Sequence, residues 1–389
     1  MSETSETSQA SKSTFDREVD RRGTSAIKWD RYRGADVLPF WVADMEFEMP
    51  DFILDSLRAR LDHGIMGYTR TPKTLVAAFQ AWLERNYGWS VPKEWLVWMT
   101  GVVPGTNLSA MAVGQPGDSL LIPTPVYYPF LSVPANAERR FMEARMSRSR
   151  GKWEMDFDAM EAAVRPDTRL VLIANPQNPT GRCYTKNELL ELARFAERHD
   201  LVICSDEIHC ALILDPEARH VPIASLDEDI AARTITLFAA TKTYNMPGLS
   251  CAVAVIPNAD LRARFNAARR DLVPLVGPLA FTASEAAFED RSNWVPELLD
   301  YLRGNHQRLL EAVGDRMTPV EGTYLAWIDV SDLELDDPGA WFEDFGLGLS
   351  DGAAFGGPGY VRFNFACPRT MLDRGLERYH RAMEAATAR

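Results

Sequence analysis

Between residues 96 and 256, short apolar runs alternate with segments whose apolar side chains recur every three or four positions. The runs Leu96–Thr100, Ser119–Ile122, Arg169–Ala174, Leu201–Ser205, Thr234–Phe238 and Ser250–Ile256 read as strands. The intervening stretches Gly105–Val113, Lys186–Arg198 and Asp260–Asp271 read as helices. This alternation predicts an α/β fold, a mostly parallel sheet flanked by helices, which binds ligands at the carboxyl ends of its strands. Ahead of it, Pro50 opens a helical pattern through Ile53, Leu54, Leu57 and Leu61 that Gly64 ends. A second helix, Lys73–Asn86, is expected to bury Val76, Phe79 and Leu83, and the turn Gly67-Tyr68-Thr69 lies between the two. Beyond residue 285 the pattern changes to a long helix, Asn293–Val313, strands at Tyr324–Val330 and Tyr360–Phe365, and a last helix after Thr370. The expected organisation is a disordered tail over 1–14, an N-terminal segment over 15–48 packing on the small domain and the active site, a large domain over 49–285 and a small α+β domain over 286–389.

Composition narrows the function. The 389 residues are 46% hydrophobic and 25% charged, ordinary for a soluble globular chain. With 42 Lys and Arg against 55 Asp and Glu, the net charge of −13 argues against nucleic acid or an anionic membrane as a partner. The opening residues, MSETSETSQASKST, hold no apolar run and so do not form a signal peptide. The five cysteines at 183, 204, 210, 251 and 367 have no metal-type spacing and read as buried thiols of a cytoplasmic protein.

Four strand ends then carry related chemistry. Thr100-Gly-Val-Val-Pro-Gly-Thr106 runs from a strand into a helix, whose free N–H groups favour an anion such as phosphate; capping the helix is the plainer alternative. Pro123-Thr-Pro-Val-Tyr-Tyr-Pro-Phe130 offers Tyr127 and Tyr128, suited to stack on a planar ring or to fill a core. Asn175-Pro-Gln-Asn-Pro-Thr-Gly181 is a rigid turn that aims the Asn178 amide inward or merely reverses the chain. Ser205-Asp-Glu-Ile-His209 places Asp206 where an apolar strand ends, and its carboxylate needs a cationic partner there. A protonated pyridine nitrogen is such a partner. Lys242, between two threonines after Thr234–Phe238, is either a solvated loop lysine or a desolvated amine able to join a carbonyl, the chemistry that anchors pyridoxal phosphate.

In this order, with Lys242 following Asp206 by 36 positions, the residues resemble the fold-type I pyridoxal-phosphate enzymes of the aminotransferase class I/II group. The resemblance runs from about residue 20 to 385. Residues 20–30 (DRRGTSAIKWD), 38–47 (LPFWVADMEF), 67–69 (GYT), 101–105 (GVVPG), 126–130 (VYYPF), 205–209 (SDEIH) and 361–369 (VRFNFACPR) are similar to the cystathionine β-lyase branch, the cysteine-S-conjugate C–S lyases. The resemblance implies pyridoxal 5'-phosphate as cofactor, Lys242 as Schiff-base lysine, Asp206 on the pyridine nitrogen, and Asn178 and His209 near the phenolic oxygen. It further implies Tyr127 stacked on the ring, Tyr128, Val42 and Ala43 on the substrate side, and Gly105, Thr106 and Thr241 at the phosphate. Tyr68 would reach the phosphate of the neighbouring subunit in a homodimer. Arg362 would clamp the α-carboxylate of an amino-acid substrate, a bidentate task that lysine does less well.

Three positions depart from the pattern: Gln177 stands where branch members usually carry histidine, Ala239 where many relatives have serine, and Ser250 where many aminotransferases have arginine. The expected reaction is β-elimination of a thiol from cystathionine or another S-substituted cysteine, with pyruvate and ammonia as the other products. Transamination uses the same residues and is the alternative, and a regulatory protein that keeps the fold is a third reading.

Overall fold

The computed structural model describes residues 13–149 and 151–388. The expected tail falls almost wholly on residues 1–12, outside the described residues; Thr14 already begins a short 3-10 turn, Thr14–Asp16.

Seven strands form the main sheet: β1 (Leu96–Met99), β2 (Ser119–Thr124), β3 (Arg140–Arg145), β4 (Thr168–Ala174), β5 (Val202–Asp206), β6 (Thr234–Phe238) and β7 (Ala252–Val255). Their spatial order is β1-β7-β6-β5-β4-β2-β3. Neighbours pair in parallel except β7, which is antiparallel to both β1 and β6. Alternation along each strand splits the side chains between two cores. Met99, Leu120, Leu172, Ile235 and Ala254 face one, beside α1 (Val102–Ala112). On the opposite face Val253 and Phe238 pack with α2 (Pro278–Glu289), and Val171 and Ile203 with the helix Lys186–Arg198. That last helix begins in a capping box between Thr185 and Glu188, which satisfies two N–H groups of its first turn. The edge strand β3, exposed along much of its length, lacks the apolar signal of its neighbours, and the sequence reading passes over it.

A three-stranded antiparallel sheet follows, with β8 (Leu325–Asp329), β9 (Ser350–Asp351) and β10 (Tyr360–Asn364) in the order β8-β10-β9. The helices Trp294–Val313 and Arg369–Thr387 cover it. Phe15, Leu38, Phe40, Met45 and Phe47 share this core, and Leu38–Pro39 pairs in parallel with Leu347–Gly348.

The first early helix forms as expected, after Pro50, while one expectation about the second needs correction. The helix Lys73–Tyr87 buries Leu75, Ala78, Phe79 and Leu83, while Val76 is only half-buried, because its stripe is set one residue earlier. In Asp51–Asp62 only Ile53 is buried, and Leu61 is 53% exposed beside exposed Ile65 and Met66.

Candidate active site

The strand ends converge as α/β topology dictates. Asp206 closes β5, and its backbone carbonyl accepts from Asn175 N–H at 2.9 Å, which locks the neighbouring turn to it. That turn, residues 175–181, is held by Gly181 N–H on the Gln177 carbonyl and by the Asn175 side chain on Tyr184 N–H. Gly181 is required there: its φ is +72°, and a Cβ would lie 2.8 Å from Val320. The Gly181 carbonyl accepts from Glu321 and Gly322, so the turn is fastened to the segment leading into β8.

A cavity of about 270 Å³ opens between these ends. Tyr127, Asn178, Asp206, His209, Thr241 and Lys242 all line it, together with Ala43, Ala239 and Ser250. Asp206 is buried; one oxygen accepts from Ile208 N–H at 3.0 Å. Burial pushes its carboxyl up to about 7, against the pull of that N–H and of the Lys242 charge. Desolvation likewise holds the His209 imidazole well below its usual range, helped by Lys242 and Arg362, and its Nδ1 is buried without a hydrogen-bond partner. Tyr127 is half-buried, its phenol pushed up to about 12 by burial.

Lys242 sits in the turn after β6, with Nζ donating to the Ala43 carbonyl at 2.5 Å. Desolvation lowers its pKa to about 8; the Asp44 carboxylate opposes the fall and Arg362 adds to it. Arg362 projects from β10 and is 2% exposed. Nη1 donates to Asn178 Oδ1 at 3.0 Å and Nη2 to the Trp41 carbonyl at 2.7 Å, and the guanidinium lies 4.5 Å from the Phe355 ring centroid. Its hydrogen bonds go to neutral acceptors, Asn178, the Trp41 carbonyl and the Ser350 hydroxyl, with no carboxylate partner among the described residues, and its Nε is buried without a partner. Because Asn178 accepts through Oδ1, its NH2 remains the donor it can offer the cavity.

Other expected positions fall differently. Gly105 and Thr106 are not in the cavity wall: Gly105 is wedged against Met99 and Leu237, and the Thr106 hydroxyl donates to the Val103 carbonyl. Since α1 begins at Val102, the cavity meets Gly101, Val102 and Val103, and the first two helical N–H groups belong to Val102 and Val103. Pro104 has no N–H to add. Tyr128 stands outside the wall, 48% exposed and edge-on to Phe355 at 5.6 Å. Val42 faces a second cavity, and its carbonyl accepts from Asn364 at 2.6 Å. Tyr68 is fully exposed and touches nothing in this cavity. Gln177 is buried and donates to the Pro125 carbonyl at 2.9 Å, a structural bond.

The sequence reading missed what fixes the roof. Every carbonyl from Trp41 to Met45 accepts from a side chain: Trp41 from Arg362 and Ser350, Val42 from Asn364, Ala43 from Lys242 and Tyr324, Asp44 from Asn364 and Lys28, Met45 from Arg21 and Asn245. The donors are scattered from residue 21 to residue 364, so no local spacing signals them.

The residues fit pyridoxal phosphate. A buried acid is placed for a ring nitrogen, Asn178 NH2 and the unmet His209 Nδ1 suit polar groups on the ring, the N–H groups at the start of α1 suit a phosphate, and a desolvated amine is in reach. Comparison with known proteins agrees. Residues 36–378 match the aminotransferase class I and II family. Cystathionine beta-lyase PatB of Bacillus subtilis is 33% identical over 95% of this chain and 99% of its own. Among solved structures, OvoB is 42% identical with a TM-score of 0.92, covering 95% of this chain and 98% of its own. Cystalysin from Treponema denticola, which contains a pyridoxal 5'-phosphate cofactor, is 30% identical with a TM-score of 0.89 over 95% and 98%. The chain belongs to the aminotransferase class I and II family, within its cystathionine β-lyase branch of pyridoxal-phosphate-dependent C–S lyases.

Proposed function

We propose that this enzyme cleaves the Cβ–sulfur bond of free cystathionine or another S-substituted cysteine, releasing a thiol while the three-carbon remainder hydrolyses to pyruvate and ammonia. One observation carries the substrate's form: Arg362 is a buried guanidinium without a carboxylate partner among the described residues, and it bonds Asn178, which lines the cavity that holds Lys242. A free α-carboxylate supplies the missing charge in a two-pronged contact. The C–S lyase relatives support the bond that breaks.

Bound pyridoxal phosphate supplies the electron sink that lets a Cα proton leave. The rest is the chain's own work. Asp206 keeps the ring nitrogen protonated, since a cationic partner offsets the burial that otherwise raises its carboxyl. Asn178 and His209 hold the polar edge of the ring, Tyr127 its face, and Thr241 with the N–H groups of Val102 and Val103 the phosphate. Lys242, once free, takes the Cα proton at Nζ and passes it to the departing sulfur, so that the leaving group is released as a thiol. The lowered pKa of this amine makes it a usable base near neutrality, so kcat should rise with pH and level off above about 8.

Two wider features belong to this reading. Tyr68 lies in an exposed stretch beside Leu61, Ile65 and Met66, which supports a homodimer in which it reaches the other subunit's phosphate. No helix of the described residues is long and apolar enough to cross a membrane, and all five cysteines are buried and unpaired, which supports a cytoplasmic enzyme.

Purified holoenzyme should release thiol, pyruvate and ammonia in equal amounts from cystathionine and S-alkylcysteines. Lys242→Ala should lose the visible absorption of lysine-linked cofactor and about 10⁴-fold in rate. No pyruvate from any of these substrates, with an amino group passed to a 2-oxo acid instead, would make the enzyme an aminotransferase.

A further inference from the structure

Lys242 and Ala43 line two cavities at once: the one holding Asp206, and a second of about 780 Å³ on the other side, lined also by Arg21, Lys28, Asp44 and Glu46. Ala43, Lys242 and Pro247 border both, and beside Ala43 lies a partly buried group of four charges. Lys28 is 2% exposed and donates to Glu46 Oε1 at 2.7 Å and to the Asp44 carbonyl at 3.0 Å. Arg21 reaches Asp44 Oδ2 at 2.6 Å and Glu46 Oε1 at 2.9 Å, and Trp29 Nε1 donates to Glu46 Oε2 at 2.9 Å.

The group is neutral in sum, so it has no need of a further cation. Yet its bonding is incomplete in one place. Asp44 Oδ1 is buried without a hydrogen-bond donor, 3.5 Å from Lys28 Nζ. Burying two ion pairs is costly, and apolar side chains fill such a volume at least as well. What apolar side chains lack is a fixed negative charge one residue away from the carbonyl that seats the Lys242 amine.

We propose that Asp44 is a positioning residue for Lys242: held by Arg21 and Lys28, it fixes the Ala43 carbonyl as the seat of the released amine and sets the electrostatic potential there. The inference rests on Lys242 being the proton-carrying amine. The charged and titratable groups facing Lys242 are Asp44, Arg362, Asp206 and Lys28, with His209 across the cavity and the Tyr324 hydroxyl sharing the Ala43 carbonyl at 3.0 Å. Burial works to raise the Asp44 carboxyl, but Lys28 and Arg21 outweigh it and hold the group ionised. Asp44 thus favours a protonated Lys242, and the cations behind it temper that effect.

The test titrates the visible absorption of the holoenzyme against pH, beside kcat and KM. Asp44→Asn removes the charge and keeps the shape, and should move the spectral pKa down by about half a unit or more. It should lower kcat about 10-fold with KM held within about 3-fold. Arg21→Gln frees the Asp44 charge and should move the spectral pKa up, the opposite direction. Should Asp44→Asn not fold, the upward shift in Arg21→Gln still decides the matter. Spectral pKa values unchanged in the folded variants, or shifted the same way in both, overturn the proposal. A Lys242→Ala protein that keeps its visible absorption overturns the underlying role of Lys242 instead.

Discussion

The floor and the roof of the active site are built on different principles. The floor is a set of strand ends, where Asp206, Asn178, His209 and Lys242 arrive because parallel strands deliver their carboxyl ends to one edge. Its geometry is local: a strand, a turn and a polar residue at a fixed offset. The roof, residues 41–47, has almost no regular structure, and side chains scattered from residue 21 to residue 364 take the place of a hydrogen-bonding neighbour strand. Loss of one floor residue should therefore damage chemistry and spare the fold. Loss of one roof donor should strand buried carbonyls and weaken both.

Asp206→Asn offers the sharpest contrast. It should fold like the parent by circular dichroism and melt near the same temperature, yet lose about 10³-fold in kcat, because only a carboxylate keeps the ring nitrogen protonated. A variant that instead melts early would place Asp206 among the structural residues. Arg362→Lys probes the joint between floor and roof, since the guanidinium bonds both Asn178 and Trp41. Lysine cannot span both while receiving a carboxylate, so kcat/KM should fall about 100-fold with most of the loss in KM; an unchanged KM would remove Arg362 from the substrate site. Asn364→Ala tests the roof itself. Its NH2 donates to the Val42 carbonyl at 2.6 Å and the Asp44 carbonyl at 2.7 Å. Leaving both without this donor should cost about 2 kcal/mol of stability, read as a lower denaturation midpoint, with kcat falling alongside. A stability matching the parent would show that the roof stands without it.

The contrast also explains what could be read in the sequence. Alternation of apolar runs and helical stripes gave the main sheet and the strand ends that carry Lys242, Asp206 and Asn178, because each follows a strand by a few residues; Arg362, inside a strand of the smaller sheet, came from the family resemblance. Gly105 and Thr106 fall one helical turn beyond the cavity wall: the helix starts at Val102, and only glycine and threonine, not valine, look like phosphate ligands in a sequence. Backbone N–H groups carry no side-chain signature. The roof donors Lys28, Asn245, Tyr324 and Asn364 were invisible for a stronger reason. Each is an ordinary polar residue whose purpose is set by a partner tens to hundreds of positions away. Lys28, in a run ending in Trp29, gave no sign of being buried.

Arg362 has a consequence for the size of molecule the enzyme can accept. Its guanidinium is 2% exposed and bonded through Nη1 and Nη2 to neutral acceptors, so on the proposed reading the charge it lacks comes from a terminal α-carboxylate. A cysteine conjugate inside a peptide has an amide at that position and brings no such charge. The enzyme would thus pass over thioether-bearing cysteines in intact proteins and meet them only after complete proteolysis, a separation of waste from structure enforced by a single buried cation.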